Sequence, residues 1–162
     1  MIRSVLTLSL ALAATDVAAL TCLATSPAGM FTAAAEAPQE YVVLYGTATF
    51  DDTALPPAVT GIGEQTPTAP VLVPGVFDGH VLTPEGFSAP YAGPLTLHAA
   101  CAGSWCGRMD SPATVLAFSL NTPEGPVLVV DPCASKYIEN PDSETLATVA
   151  ACMQGQDCGS DE

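Results

Sequence analysis

His98, Cys101 and Cys106 stand within nine residues of one another, and they are the densest set of reactive side chains in the sequence. An imidazole and two thiolates would suit zinc or copper. The same cysteines have a competing use as disulfide partners, which an oxidising compartment favours. The four residues between Cys101 and Cys106 also differ from the two-residue gap of thioredoxin-type redox pairs.

Other chemistries find less support. A hydrolytic triad needs a nucleophile, a histidine base and an orienting acid. His80 and His98 are the only histidines, and neither Ser88 nor Ser104 stands in a Gly-x-Ser-x-Gly elbow. Adjacent acids such as Asp51-Asp52 point to opposite faces of a strand, so they read as an end cap. No loop alternates oxygen donors as calcium requires. Gly61-Ile62-Gly63 lacks the strand, helix and third glycine of a dinucleotide fingerprint. No catalytic residue, cofactor or metal site is therefore assigned, and the chain reads as a non-enzyme. Trp105 beside Arg108 is the candidate binding patch, against the plainer reading that Trp105 packs over a neighbouring disulfide.

Compartment follows from the first residues and from the cysteine count. Arg3 precedes an apolar run from Val5 to Ala14, and Val17-Ala18-Ala19 offers small residues at a cleavage site. That is the pattern of a signal peptide over 1–19, with a mature chain from Leu20. The run is too short for a bilayer, which needs about 20 apolar residues. Thr21 before Cys22 fits lipid attachment poorly. Six cysteines behind an export signal point to three disulfides in the periplasm or outside the cell. The chain carries 3 basic and 17 acidic residues, a formal net charge of −14. Such a balance disfavours nucleic acid and anionic membranes as partners, since both need basic patches; another protein is the expected partner class.

The elements that must position these residues read as strands. After a leader, 20–40, in which Phe31 to Ala37 form a helical turn or two, Tyr41 to Phe50 is dense in β-branched and aromatic residues, with Gly46 at a bulge or bend. Residues 53–70 hold four prolines and read as a long loop. Val71 to Val73 and Val76 to Leu82 read as a strand broken at Pro74-Gly75, and Thr83 to Gly86 as a turn. Phe87 to Gly93 is an irregular link. Pro94 to Cys101 alternates, with Leu95, Leu97 and Ala99 on one side. Ala113 to Leu120 is the next strand, and 121–125 is a turn. Pro126 to Asp131 is an apolar strand to be covered on both faces by the following helix. That helix, 142–153, has Asp142 as N-cap and an apolar stripe of Leu146, Val149, Ala150 and Met153. An acidic tail follows, 159–162. The fold class is all-β with one C-terminal helix: a small, disulfide-stapled Greek-key barrel of the OB type over 41–158. A β-sandwich is the alternative.

A cysteine near the mature N-terminus, a first strand Val43-Leu44-Tyr45-Gly46-Thr47, the segment Cys101-Ala-Gly-Ser-Trp-Cys106-Gly107 and a late cysteine in a terminal helix together resemble netrin-like modules and tissue inhibitors of metalloproteinases. They are also similar to small exported bacterial proteins. The resemblance covers roughly 22–152 as an order of elements. It implies an OB-type barrel and pairings Cys22–Cys101, Cys106–Cys133 and Cys152–Cys158; Cys101 with Cys106 is the alternative. In the inhibitor family the terminal cysteine chelates the protease zinc, a role that would fall on Cys22, although Leu20-Thr21 precede it here. The expected function is a non-catalytic exported binding or inhibitor-like module. The alternatives are an envelope-accessory protein and a metal-binding protein using His98, Cys101 and Cys106.

Overall fold

The structure, a computed structural model, describes residues 20–23, 25–58, 67, 69–156 and 158. The expected signal segment 1–19, most of the second half of the 53–70 loop and the tail 159–162 lie outside the described residues. Helix α1 (Pro27–Ala35) comes first, with Ser26 accepting from the Gly29 N–H at 3.0 Å and proline in its first turn. The strands are β1 (Tyr41–Phe50), β2 (Val71–Thr83), β3 (Gly86–Ala99), β4 (Cys101–Ala102), β5 (Trp105–Cys106), β6 (Ala113–Leu120), β7 (Val127–Val130) and β8 (Tyr137–Glu139). Helix α2 (Ser143–Met153) closes the order.

The main sheet runs β1-β2-β3-β7-β6-β8, and β1 also pairs with β6, from Tyr41 opposite Leu120 to Ala48 opposite Ala113. That extra pairing rolls five strands into a closed barrel. β3 and β7 form its only parallel pair, the connectivity of an OB-type Greek-key barrel. Closure also decides against the β-sandwich, because among the described residues the other sheet is the two-stranded β4–β5 ladder alone. Its interior holds Leu44, Phe77, Leu95, Leu97, Val115 and Leu128, all fully buried. Gly46 and Gly79 lie opposite each other where β1 crosses β2, and a Cβ on either would sit 2.6 Å from the other's Cα. The two backbones therefore approach as only glycines allow, and the register runs through Gly46 without a bulge.

Helix α1 spans Pro27–Ala35 against the helical turns expected from Phe31 to Ala37, β8 has no counterpart in the sequence reading, and three further differences bear on the sheet. β2 runs unbroken through Pro74-Gly75, and β3 begins at Gly86, so Phe87 to Gly93 is strand and no irregular link. The prolines are tolerated because no described strand pairs with the sheet on their N side. β1 ends at Phe50 opposite Gly75, which leaves one edge of β2 open at Pro74. β7 pairs with β3 only from Thr96 to Ala99, so among the described residues no strand pairs with that side of β3 at Pro90 or Pro94. A missing N–H costs no ladder bond at such an edge. The third difference is in the covering helices. They do not lie over the strand at 126–131; α1 lies against β6 and α2 against the turn end of β2 and β3, where Leu116 and Phe118 join Met30, Ala34, Val43, Leu82 and Val149 in a second apolar cluster. β6 is thus buried on both faces, and β7 alternates between buried and half-buried residues. The stripe expected on α2 holds, with Val149 buried and Leu146, Ala150 and Met153 packed around the same cluster. Its cap holds too, the Asp142 carboxylate accepting from the Thr145 N–H at 2.7 Å.

The disulfides are Cys22–Cys133, Cys101–Cys106 and Cys152–Cys158. The third agrees with the resemblance, but Cys22–Cys101 and Cys106–Cys133 do not occur. Cys101 and Cys106 face each other directly in the short β4–β5 ladder with Cα atoms 4.0 Å apart, so they bond to each other. Cys22 then ties the leader to the turn after β7 at Cys133.

Candidate functional site

The cysteine corner is built to hold the long β1–β2 connection. The Cys106 N–H donates to the Ala58 carbonyl at 2.9 Å. The Arg108 guanidinium donates to the Leu55 and Pro56 carbonyls, both at 3.1 Å. Leu55 is thereby seated in the barrel core. Gly107 passes so close to β7 that a Cβ there would meet the Asp131 nitrogen at 2.6 Å. Tyr137 closes the far side by donating its hydroxyl to the Arg108 carbonyl at 3.1 Å. Burial, with Glu139 and Asp131 nearby, pushes that phenol well above the usual tyrosine range.

This geometry separates the residues that the sequence grouped. Arg108 is spent on backbone carbonyls, so it does not join Trp105 in an exposed pair; Trp105 alone is exposed, at 36%. The other cation among the described residues, Lys136, lies over the Tyr41 ring at 5.3 Å. Cys101 and Cys106 are bonded to each other and offer no thiolate beside His98. Among the described residues no three His, Cys, Asp or Glu side chains gather as a metal site. His80 and His98 face opposite ends of the β2–β3 hairpin, against Pro90 and Leu72. Eight positions along an antiparallel strand are about 27 Å, too far for shared chemistry. Ser88 meets the Thr83 hydroxyl at 3.0 Å, beside the turn. Asp51 caps as expected, accepting from the Thr53 N–H at 3.1 Å at the start of a single 3-10 turn, Asp52–Ala54.

The structure instead assembles a surface that sequence reading missed. The register of β2 against β3 puts Leu72, Pro74, Val76, Asp78 and His80 beside Pro90, Ala92, Pro94, Thr96 and His98 on the outer side of the hairpin. Their alternate neighbours Val73, Phe77, Leu95 and Leu97 fill the core. Leu72 and Val76 are 58% and 59% exposed. Asp78 is the only acid of the ten outward positions, in a chain of net charge −14. At the His98 end this strip opens into a cleft of about 500 Å3, lined by Pro67, Pro70, His98, Cys101 and Gly103. That volume lies within the range of small-ligand and side-chain pockets, and its walls are small and mostly apolar. The alternation of Leu72, Val76 and His80 with Val73 and Phe77 was visible in the sequence. It does not say which side faces water, because both sides carry large apolar residues.

No helix among the described residues is long and apolar enough to cross a membrane. Compared with known proteins, the chain matches no family model, no curated sequence and no solved structure.

Proposed function

We propose that the protein is an exported, non-catalytic binding module that holds an uncharged, apolar stretch of a partner protein on the outer face of β2–β3. The observation that carries this reading is the exposure of Leu72 and Val76 on a strip with a single acid. Exposed apolar strips bordered by polar surface mark interaction sites more often than chance surface does. Three disulfides give the barrel a rigid frame for that strip, which limits the ordering cost of binding. The export signal read at 1–19 and these bridges both favour a compartment outside the cytosol. The dispersal of His80, His98 and Asp78 along a hairpin, with the cysteines oxidised, favours binding over catalysis. The netrin-like likeness belongs to the same proposal and rests on the order of elements; a zinc-chelating role for Cys22 is not part of it.

The test is selection of peptides from a displayed random library on the oxidised chain, held below about 1 µM. The selected peptides are then measured against a Leu72→Glu/Val76→Glu double variant. Enriched peptides should be apolar and poor in acids, and should bind the double variant at least about tenfold more weakly, as loss of two apolar anchors implies. Peptides that bind both proteins equally, or no enrichment at all, would remove this face as the site.

A further inference from the structure

We propose that the outer face of β2–β3 also docks onto the same face of a second copy of this chain, giving a weak twofold dimer. This inference rests on reading that face as the contact surface. Charge makes the choice of face. Each copy carries a net charge of −14, and its two mature cations are engaged within the fold, Arg108 by carbonyls and Lys136 by a ring. Two copies therefore repel wherever acids meet. Glu36, Glu40, Asp110, Glu124, Glu139 and Asp142 are exposed elsewhere. Across the ten outward positions of the hairpin only Asp78 is acidic, and both histidines of the chain are there.

The face is also self-complementary in register. A twofold axis crossing β2 at Val76 lays Val76 on Val76 and Leu72 over His80 of the other copy. It brings Asp78 over Pro74. The two Asp78 residues are then four positions apart along the strand direction, about 13 Å, beyond a Debye length of about 8 Å at physiological salt. Pro74, Pro90 and Pro94 have no side-chain rotamers to lose.

Size sets the strength. From Leu72 to His80 the strip is about 27 Å long, and two strands with their side chains are about 15 Å wide, on the order of 400 Å² per copy. Both copies together bury on the order of 800–1,000 Å², at the low end for specific interfaces. A dissociation constant on the order of 100 µM is expected for such a patch.

The experiment is sedimentation of the oxidised full-length mature chain across concentration at about 0.1 M and about 1 M sodium chloride, where the Debye length falls from about 10 Å to about 3 Å. Screening of like charges should tighten the dimer by several-fold at the higher salt. Leu72→Glu/Val76→Glu should be monomeric throughout with an unchanged far-ultraviolet spectrum, and the conservative pair Leu72→Met/Val76→Ile should still dimerise. On the wild-type chain, amide shifts that change on dilution should fall on β2 and β3. A monomer at about 1 mM in both salts, ten times the expected constant, overturns the inference. So does a dimer that salt dissolves, because ion pairs would then hold it. Monomeric behaviour with peptide capture intact removes only the second copy. A dimer that survives in the glutamate variant, with peptide binding also unchanged, removes this face altogether.

Discussion

Ser119 carries the one buried side-chain oxygen without a hydrogen-bond partner among the described residues. It is fully buried on β6, and it follows Val115 and Ala117 on the strand side that faces the barrel interior. A hydroxyl left unpaired in an apolar interior loses its water and gains nothing in return. Ser119→Ala should therefore leave stability unchanged or raise it by about 1 kcal/mol, read as a shift in the urea midpoint with an unaltered slope. A loss above about 1 kcal/mol would mean that the hydroxyl has a partner after all. Alternation in the sequence puts Ser119 on one side with Val115 and Ala117, opposite Leu116, Phe118 and Leu120, but does not say which side is enclosed. Its inward direction follows from pairing with Val42 on β1.

At the scale of elements, what was legible is what local chemistry decides by itself. The apolar density of β1 and β6 and the capped, striped α2 needed no distant partner to be recognised. The N-cap of α2 gives a pH signature. Chiefly the Thr145 N–H, bonded to the Asp142 carboxylate, holds that carboxyl below its ordinary value of 3.8. A group with a folded pKa below its unfolded one stabilises the fold above the unfolded pKa and loses that contribution as pH falls through the folded pKa. Asp142→Ala should lower the thermal midpoint near neutral pH by a few degrees. It should also flatten the fall in stability below about pH 4, the range in which a free aspartate titrates. Calorimetry from neutral pH to about pH 3 reads both, and parallel curves for the two proteins would contradict the cap's role. The β2–β3 hairpin was not legible in the same way. Proline and glycine at 74–75, 90 and 93–94 are local signals for a break, and only the missing neighbour strands make them harmless.

At the scale of the whole molecule, the bridges differ in what they constrain. Cys22–Cys133 spans 111 residues of sequence, against 5 for Cys101–Cys106 and 6 for Cys152–Cys158. On loop entropy alone the long bridge restricts the unfolded chain by about 5 kcal/mol and a short one by about 2 kcal/mol. Cys22→Ser/Cys133→Ser should thus destabilise the chain about twice as much as Cys101→Ser/Cys106→Ser, with guanidinium midpoints as the measure. Non-reduced peptide mapping should return the same three pairs, and a Cys22–Cys101 peptide would restore the pairing that the family resemblance implies. By itself the sequence determined the β-rich class, the position of the terminal helix, the acidity and the even cysteine set. Each of these is a property of composition or of neighbours within a few residues. Only the tertiary structure decided that β1 closes onto β6, which cysteines meet, that Arg108 turns inward, and that Leu72 and Val76 face water. Those outcomes depend on which of two apolar strand faces is enclosed, and a period-two pattern is silent on that until the partner strands are in place.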